Sequence, residues 1–432
     1  MTGMSWRRLP LKRVAEIMPS NVDKHSVEGE LPVRLCNYVD VYNNDRIEDT
    51  LDFMPATASE AQIARFTLKA QDVLVTKDSE EPSDIGIPAF VPRDMPGVVC
   101  GYHLAILRPN TERVYGSFLR WALQSADVQA YHETAATGIS RYALGINDLG
   151  MTPLHLPDRA KQTRIANFLD EQTARIDALI AEKERLDGLL GEYRQAVIAQ
   201  AVTKGLDPGT PMKDSGIAWL GAVPEHWERW KLSHAFGRIG SGTTPPTDQQ
   251  EWYEDGNIPW ITTGELRENR IERTAKSVTA AALEKFSALQ VFPPESLAVA
   301  MYGATIGRLG ILGIDATTNQ ACCVLSSPGH LAVPFVFYWL CAFRQVLISL
   351  FATGGGQPNI SQDSVASLRV PAPSLKEQAT IANFLDEQTA RVDALREHCK
   401  GHITLLREYR SALISAAVTG QLGIDNFKRG AA

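Results

Sequence analysis

The sequence predicts a mixed α/β (α+β) protein assembled twice over. Two unlike globules are each followed by a long helix, and the two helices pack on each other as a coiled coil. Three observations predict this. The peptide IANFLDEQTAR at Ile165–Arg175 recurs letter for letter at Ile381–Arg391, an offset of 216 residues. In the same register, 26 of the 45 positions from Gln162 to Leu206 are identical. The segments preceding the two copies share only scattered residues and read as alternating strands and helices. A repeat spanning about half the chain means two large units in a pseudo-twofold internal repeat, not a solenoid of short ones.

The first globule takes residues 1–157. Its strand-like runs are Asp72–Thr76 and Val98–Leu107, and Ser117–Leu123 reads as a buried helix. The first helical spacer, 158–205, places Ile165, Leu169, Ile176, Leu179, Leu186, Leu190, Tyr193 and Val197 at three- and four-residue steps, the seam that paired helices need. A connector at 206–226 follows, where Pro208, Gly209, Pro211, Gly216, Gly221 and Pro224 exclude regular helix. The second globule, 227–373, offers strand runs at Ile258–Thr263, Leu297–Met301 and Ala321–Leu325, then a helix over Pro334–Leu340. The second spacer, 374–422, repeats the seam with Ile381, Leu385, Val392, Leu395, Leu406, Tyr409 and Leu413, ahead of a tail at 423–432. Ser374 with Glu377 forms a capping box at its start. Asp170 and Asp386 are each able to cap a fresh helix, so a kink is allowed there. A fainter repeat links the globules: Trp6 and Leu11 answer Trp227 and Leu232, and Ile85-Gly86 answers Ile306-Gly307.

Composition narrows the function classes. With 44% apolar and 22% charged residues the chain is of ordinary globular make-up. Its longest apolar run, Leu331–Phe343, falls short of the roughly 18–20 residues of a membrane span, and the N-terminal residues lack a signal-type apolar stretch. Cys36, Cys100, Cys322, Cys323, Cys341 and Cys399 show no CxxC spacing, which reads as free thiols in a cytoplasmic protein that meets no membrane. The net charge of -7 is unlike that of a chain gripping nucleic acid unaided. If this chain binds DNA, it concentrates positive charge locally or borrows it from partners.

Catalytic signatures are missing. Gly303-Ala304-Thr305-Ile306-Gly307-Arg308 is glycine-rich but lacks the lysine and spacing of a phosphate-binding loop, and no zinc-protease, hydrolase or kinase motif occurs. Cys100 near His103 reads as strand filling, not as a nucleophile with its base. His398, Cys399 and His402 share a helical face, but their counterparts in the first copy are Glu182, Lys183 and Leu186, so packing explains them and no metal site is expected. The second globule, in contrast, is rich in polar loops suited to base edges and phosphates: Thr243-Thr244, Thr262-Thr263, Tyr302 to Arg308 including Thr305, Asn319-Gln320, and Gln357 with Asn359. In the first globule the acidic run Asp78–Asp84 would repel DNA. Either it points away from the duplex or the face lies elsewhere, around Arg141-Tyr142, with Lys77 a further candidate.

The repeated IANFLDEQTAR segments, the connector MKDSGIAWLGAVPEHW at 212–227, GNIPWITTGEL at 256–266, the Tyr302–Arg308 loop, Thr318-Asn319-Gln320 and GGGQPNIS at 354–361 together resemble the specificity subunit of Type I restriction–modification systems. The resemblance covers nearly the whole chain. It implies that the globules are target-recognition domains, each reading one half of a split, asymmetric sequence in double-stranded DNA. It implies that the helices pair antiparallel and set the distance between half-sites. Two copies of a DNA adenine methyltransferase subunit would dock on the helical region, through Ile165, Phe168, Leu169, Arg175 and Tyr193 and their counterparts Ile381, Phe384, Leu385, Arg391 and Tyr409. Two motor-nuclease subunits would join for restriction. The chain itself would catalyse nothing and bind no cofactor; S-adenosylmethionine, ATP and Mg would belong to the partners. The competing expectation is a coiled-coil adaptor whose globules bind proteins.

Overall fold

Two uninterrupted helices, Arg159–Lys204 and Leu375–Thr419, carry the repeated segments in the computed structural model, which describes residues 6–352, 358–424 and 427. Both are rich in Ala, Leu, Glu and Arg, contain no proline, and end where a glycine takes positive φ, Gly205 at +72° and Gly420 at +79°. By contact the chain forms two units. One holds the chain up to Glu184 with the segment from Lys400 onward, and the other holds Arg185–Cys399. Each unit therefore contains one globule, part of one long helix and part of the other.

In the first unit a four-stranded antiparallel sheet runs in the order Ala15–Pro19, Leu104–Pro109, Val73–Thr76, Pro88–Phe90. Beside it lies a three-stranded sheet, Met54–Ala58, Leu31–Cys36, Val98–Cys100, with the last pair parallel. A two-stranded ribbon, Arg7–Pro10 with Pro153–Leu156, leads into the long helix. Phe118 and Trp121 of helix Gly116–Leu123 are buried against Ile165 and Leu169 of the first long helix and Ile414 and Val418 of the second. Side chains of this size contribute about 1.5–3 kcal/mol each on full burial, so the helix ends are part of the core and not appendages.

The second unit repeats the plan with other sequences. Its five-stranded sheet runs Phe236–Ser241, Cys322–Pro328, Leu297–Ala300, Leu309–Leu312, Asn269–Ile271, and the smaller sheet runs Lys276–Val278, Ile258–Ile261, Thr317–Thr318. Its ribbon pairs Glu228–Lys231 with Arg369–Ala372. Trp227, Phe335 and Trp339 pack with Ile198 and Val202 of the first long helix and Ile381 and Leu385 of the second. Helix Val333–Phe351 is long and apolar enough to cross a membrane by length and composition, an extent the shorter run read from sequence did not suggest. Its Phe335, Val336, Trp339 and Leu340 are instead buried in this core.

The helices pack antiparallel in both units. In the first, Arg410 donates to Asp177 at 2.8 Å and Arg407 to Glu184 at 2.9 Å. In the second, Arg396 donates to Asp187 at 2.8 Å and Arg194 to Asp393 at 2.9 Å. Asp177–Arg410 and Asp393–Arg194 are the same pair under the 216-residue offset. Other buried polar devices recur too. Gln162 takes the amide of Tyr115 and donates to the carbonyls of Arg113 and Pro157. Gln378 treats Ala332, His330 and Pro373 in the same way.

Three local expectations are corrected. No kink forms at Asp170 or Asp386, because these carboxylates do not turn back to cap. They accept from Trp121 Nε1 at 2.9 Å and from the Tyr338 hydroxyl at 2.6 Å. The capping box is only half made: Ser374 Oγ accepts the Glu377 amide, but the Glu377 carboxylate takes Trp227 Nε1 and His226 Nε2. The helical seam is also incomplete. Leu179, Leu186, Tyr193, Leu395 and Tyr409 are exposed, although the spacing placed them between helices.

Candidate nucleic-acid interface

In the second unit the polar loops all follow the ends of strands. Gly242-Thr243-Thr244 follows Phe236–Ser241, Thr262-Thr263 follows Ile258–Ile261, Met301–Arg308 follows Leu297–Ala300, and Asn319-Gln320 follows Thr317–Thr318. Main-chain bonds tie them into one edge: the Asn319 amide donates to Ile261 O at 3.0 Å, and Met301 to Ala321 O at 2.8 Å. Side chains complete the link, with Thr244 Oγ1 donating to Gln320 Oε1 at 2.6 Å and Gln320 also bonded to Tyr302. Tyr302 forms a bridge to Asn359. Glu265 braces the edge by accepting the Thr262 amide at 2.8 Å.

A Cβ on Gly242 would sit 1.7 Å from Thr318 O, so only glycine lets the two loops meet. Thr243, Thr244, Thr262, Thr263, Tyr302 and Asn319 are half-buried, while Gln320 and Asn359 are exposed. Burial raises the Tyr302 hydroxyl above its ordinary pKa, which keeps it a neutral donor. Thr305 lies in the short turn Gly303–Thr305, and the Arg308 amide donates to its carbonyl at 2.9 Å. Gln357 lies outside the described residues.

The same edge recurs in the first unit with different side chains. The Gly101 amide donates to Cys36 O as Asn319 does to Ile261, and Lys77 to His103 O as Met301 does to Ala321. Leu144 donates to Lys77 O at 2.8 Å, as Ile360 does to Met301 O at 2.7 Å. Asp40 accepts the Asn37 amide at 2.7 Å, the role of Glu265 at Thr262. Gly86 and Gly307, at φ +76° and +72°, close the equivalent loops by donating to Thr76 O and Ala300 O. Asn37 and Tyr38 thus stand where the second unit has Thr262 and Thr263, Tyr102 where it has Gln320, and Asp78 where it has Tyr302.

The acidic run does not lie apart from the Arg141-Tyr142 segment. Strand Asp78–Ser79 pairs directly with Tyr142–Ala143, so the start of the run and the Arg141-Tyr142 segment lie together. Lys77 joins them, its Nζ 6.0 Å from the Tyr102 ring centroid. Sequence reasoning missed Asn37, Tyr38 and Tyr102; the Ile85-Gly86 and Ile306-Gly307 match was the signal that could have aligned the two faces.

The fold has clear counterparts. A chain solved in work on complex assembly and conformational transition of the type I R-M system covers 97% of this chain and 99% of its own length, with TM-score 0.75 and 17% identity. The HsdS subunit from Thermoanaerobacter tengcongensis matches over 97% of this chain with TM-score 0.58 and 18% identity. Residues 224–403 match the Type I restriction modification DNA specificity domain. The putative type I restriction enzyme MjaX specificity subunit of Methanocaldococcus jannaschii is 21% identical over 97% of this chain and 94% of its own. The chain is thus similar to Type I specificity subunits over nearly its whole length, and its residues 224–403 match their DNA specificity domain. The EcoR124I/EcoR124II specificity subunit of Escherichia coli is 22% identical, and there the match spans 61% of this chain and 62% of that subunit, just under two thirds of its length.

The sites set aside from sequence have structural explanations. Cys100 is fully buried and burial raises its thiol pKa, the opposite of an activated nucleophile, while His103 turns to Asp78 at 2.7 Å. Among the described residues no group of three or more His, Cys, Asp and Glu is placed to hold a metal. The residues named for docking divide sharply. Ile165, Leu169, Ile381 and Leu385 are buried in the cores of their own units, where they serve as the framework of the helical spacers. Phe168 and Phe384 are half-buried, and Phe168 meets Phe427 edge-on with ring centroids 4.9 Å apart. Arg175 pairs with Glu171, and Arg391 with Glu387, one turn earlier on their own helices. Tyr193 and Tyr409 are exposed.

Proposed function

We propose that this chain is a Type I specificity subunit that reads a bipartite, asymmetric DNA target, one half-site per globule, and docks two copies of a DNA adenine methyltransferase subunit through its helices. The observation that carries the reading is one hydrogen-bonded frame built twice and furnished with unlike side chains. The second unit presents hydroxyl and amide groups, Thr243, Thr262, Asn319 and Gln320, while the first presents Asn37, Tyr38, Tyr102 and Arg141. Amide, hydroxyl and guanidinium groups are those that discriminate base edges, so equal frames with unequal furniture suit two different half-sites. Arg308, Thr244, Thr263, Tyr302, Thr305 and Asn359 belong to the second face, and Lys77 and Tyr142 to the first.

For docking, each unit exposes the same apolar triplet from its two helices: Leu179, Leu405 and Tyr409 in one, Leu395, Leu189 and Tyr193 in the other. These are counterparts under the 216-residue offset, so whatever fits one triplet fits both. With partners supplying much of the phosphate grip, a net charge of -7 is no obstacle. The methyltransferase partner would flip an adenine and hold S-adenosylmethionine; two motor-nuclease subunits using ATP and Mg would add restriction. The natural setting is the cytoplasm, with domain boundaries as read from the sequence: 1–157, 158–205, 206–226, 227–373, 374–422 and 423–432.

The test is a base-resolution adenine-methylation map of DNA from cells that express the neighbouring methyltransferase with and without this chain. A split, asymmetric methylated motif should appear only with it. An unchanged map in the presence of a competent methyltransferase defeats the reading in favour of a protein-binding adaptor.

A further inference from the structure

We propose that Arg141 reads a guanine in the half-site taken by the first globule and that His103 and Asp78 position it; this rests on the DNA-specificity reading above. Arg141 sits at the tip of a hairpin formed by Thr137–Gly138 and Tyr142–Ala143. The tip is tight. Gly138 has φ +150°, and a Cβ there would lie 2.0 Å from Arg141 O. The hairpin's second strand pairs with Asp78–Ser79, which is the position of the Tyr302–Asn359 bridge in the other unit. The fold therefore delivers Arg141 to the edge that carries Tyr302, Gln320 and Asn359 in the second globule.

The side chain is exposed but not loose. His103 Nδ1 donates to Asp78 Oδ2 at 2.7 Å, which fixes the ring in the tautomer whose Nε2 is the acceptor, and Arg141 Nη2 lies 3.5 Å from that Nε2. The ring is itself held against Tyr102, with ring centroids 3.6 Å apart. A guanidinium held this way keeps its fork directed while forfeiting little rotamer freedom on binding.

The surroundings choose between a phosphate and a base as its target. Asp78, Glu80, Glu81 and Asp84 stand on the same loop, and four carboxylates oppose a phosphate far more than a neutral base edge. Guanine offers O6 and N7 to a bidentate arginine, and the cytosine paired with it offers N4 hydrogens to carboxylate acceptors. A G·C pair thus matches an arginine set among acids, and it gives the acidic loop a place at the duplex. Asp78 and His103 touch no base in this scheme; they are positioning residues.

The test uses the full chain with its methylation partner on a DNA pool randomised at both half-sites, scoring which sequences become methylated. Arg141→Ala should lower the preference for guanine about tenfold or more at one position of one half-site and leave the other half-site as it was. Arg141→Lys should recover only part of that preference. Asp78→Asn should weaken the preference at the same position while the thermal midpoint stays put, which a merely structural role would not produce. Unchanged preferences in Arg141→Ala overturn the proposal, as does an equal loss on all sequences, the mark of a phosphate contact. A wild-type chain that confers no sequence preference at all sinks the specificity reading and this proposal with it.

Discussion

His132 shows how one residue ties a loop of the first unit's polar edge to the core. It is fully buried in the first unit, with Nε2 2.8 Å from Thr152 Oγ1 and no partner on Nδ1 among the described residues. Gly86 is pressed against it: a Cβ at that position would lie 2.3 Å from Nδ1. Burial lowers the imidazole pKa to about 4, because the charged form has no solvent. A depressed histidine pKa means the unfolded chain takes up a proton that the folded one refuses. The contribution is therefore intact above the unfolded value of about 6.5 and is lost as pH falls from there through about 4, at a cost of about 3 kcal/mol. Denaturant unfolding followed from pH 7.5 to 4.5 should show this loss, and His132→Gln should flatten it. An identical pH slope in the variant assigns the loss to other groups. Nothing in the sequence singles out His132, since neither burial nor an unanswered nitrogen leaves a local pattern.

At the scale of elements, the long helices were legible to within a few residues because their seam, the exact repeat and the Pro/Gly-rich connector are local signals. Which seam residues face a partner helix was not. Leu179 and Leu395 obey the spacing yet lie exposed, while ion pairs far apart in sequence, Asp177–Arg410 and Arg194–Asp393, recur at matching points of the register. The Arg194 and Asp393 side chains are 28% and 50% exposed, so the pair is worth at most about 0.5–1 kcal/mol after screening. Arg194→Asp should cost about that much and gain a like-charge contact. Combining it with Asp393→Arg should restore most of the loss, and a double-mutant cycle by denaturant unfolding checks the coupling. A coupling energy near zero would mean that apolar packing alone sets the register. Some strands of each globule were legible in the runs Asp72–Thr76, Ile258–Thr263, Leu297–Met301 and Ala321–Leu325, while the run Val98–Leu107 divides into Val98–Cys100 and Leu104–Pro109 of different sheets. The equivalence of the two polar edges was not legible: it resides in main-chain hydrogen bonds at Lys77 and Gly101 that match those at Met301 and Asn319, positions with no residue in common.

For the whole molecule the repeat makes a metrical prediction. If the helices set the distance between half-sites, a heptad inserted near Gly188 and another near Gly401 lengthens each helix by about 10 Å. The methylated motif should then keep both half-sites and widen the gap between them by about three base pairs, read from the same methylation map. An unaltered gap would remove the helices from that role. Replacing one exposed triplet would not substitute for this test, since its counterpart in the other unit remains.

By itself the sequence determined the duplication, the two long helices, the family resemblance and the polar loops of the second globule. Each of these is written in local order, as an exact repeat, a 3–4 spacing or a cluster of Thr, Asn and Gln between strands. Tertiary structure alone decided that each unit draws on both helices, and that Ile165, Leu169, Ile381 and Leu385 are core while Leu189 and Leu405 are surface. It alone brought Asp78, His103 and Arg141 to one edge. The physical reason is the same in every case. Burial and hydrogen-bond partnership are properties of groups distant in the chain, and a spacing pattern says which residues share a face without saying what covers it.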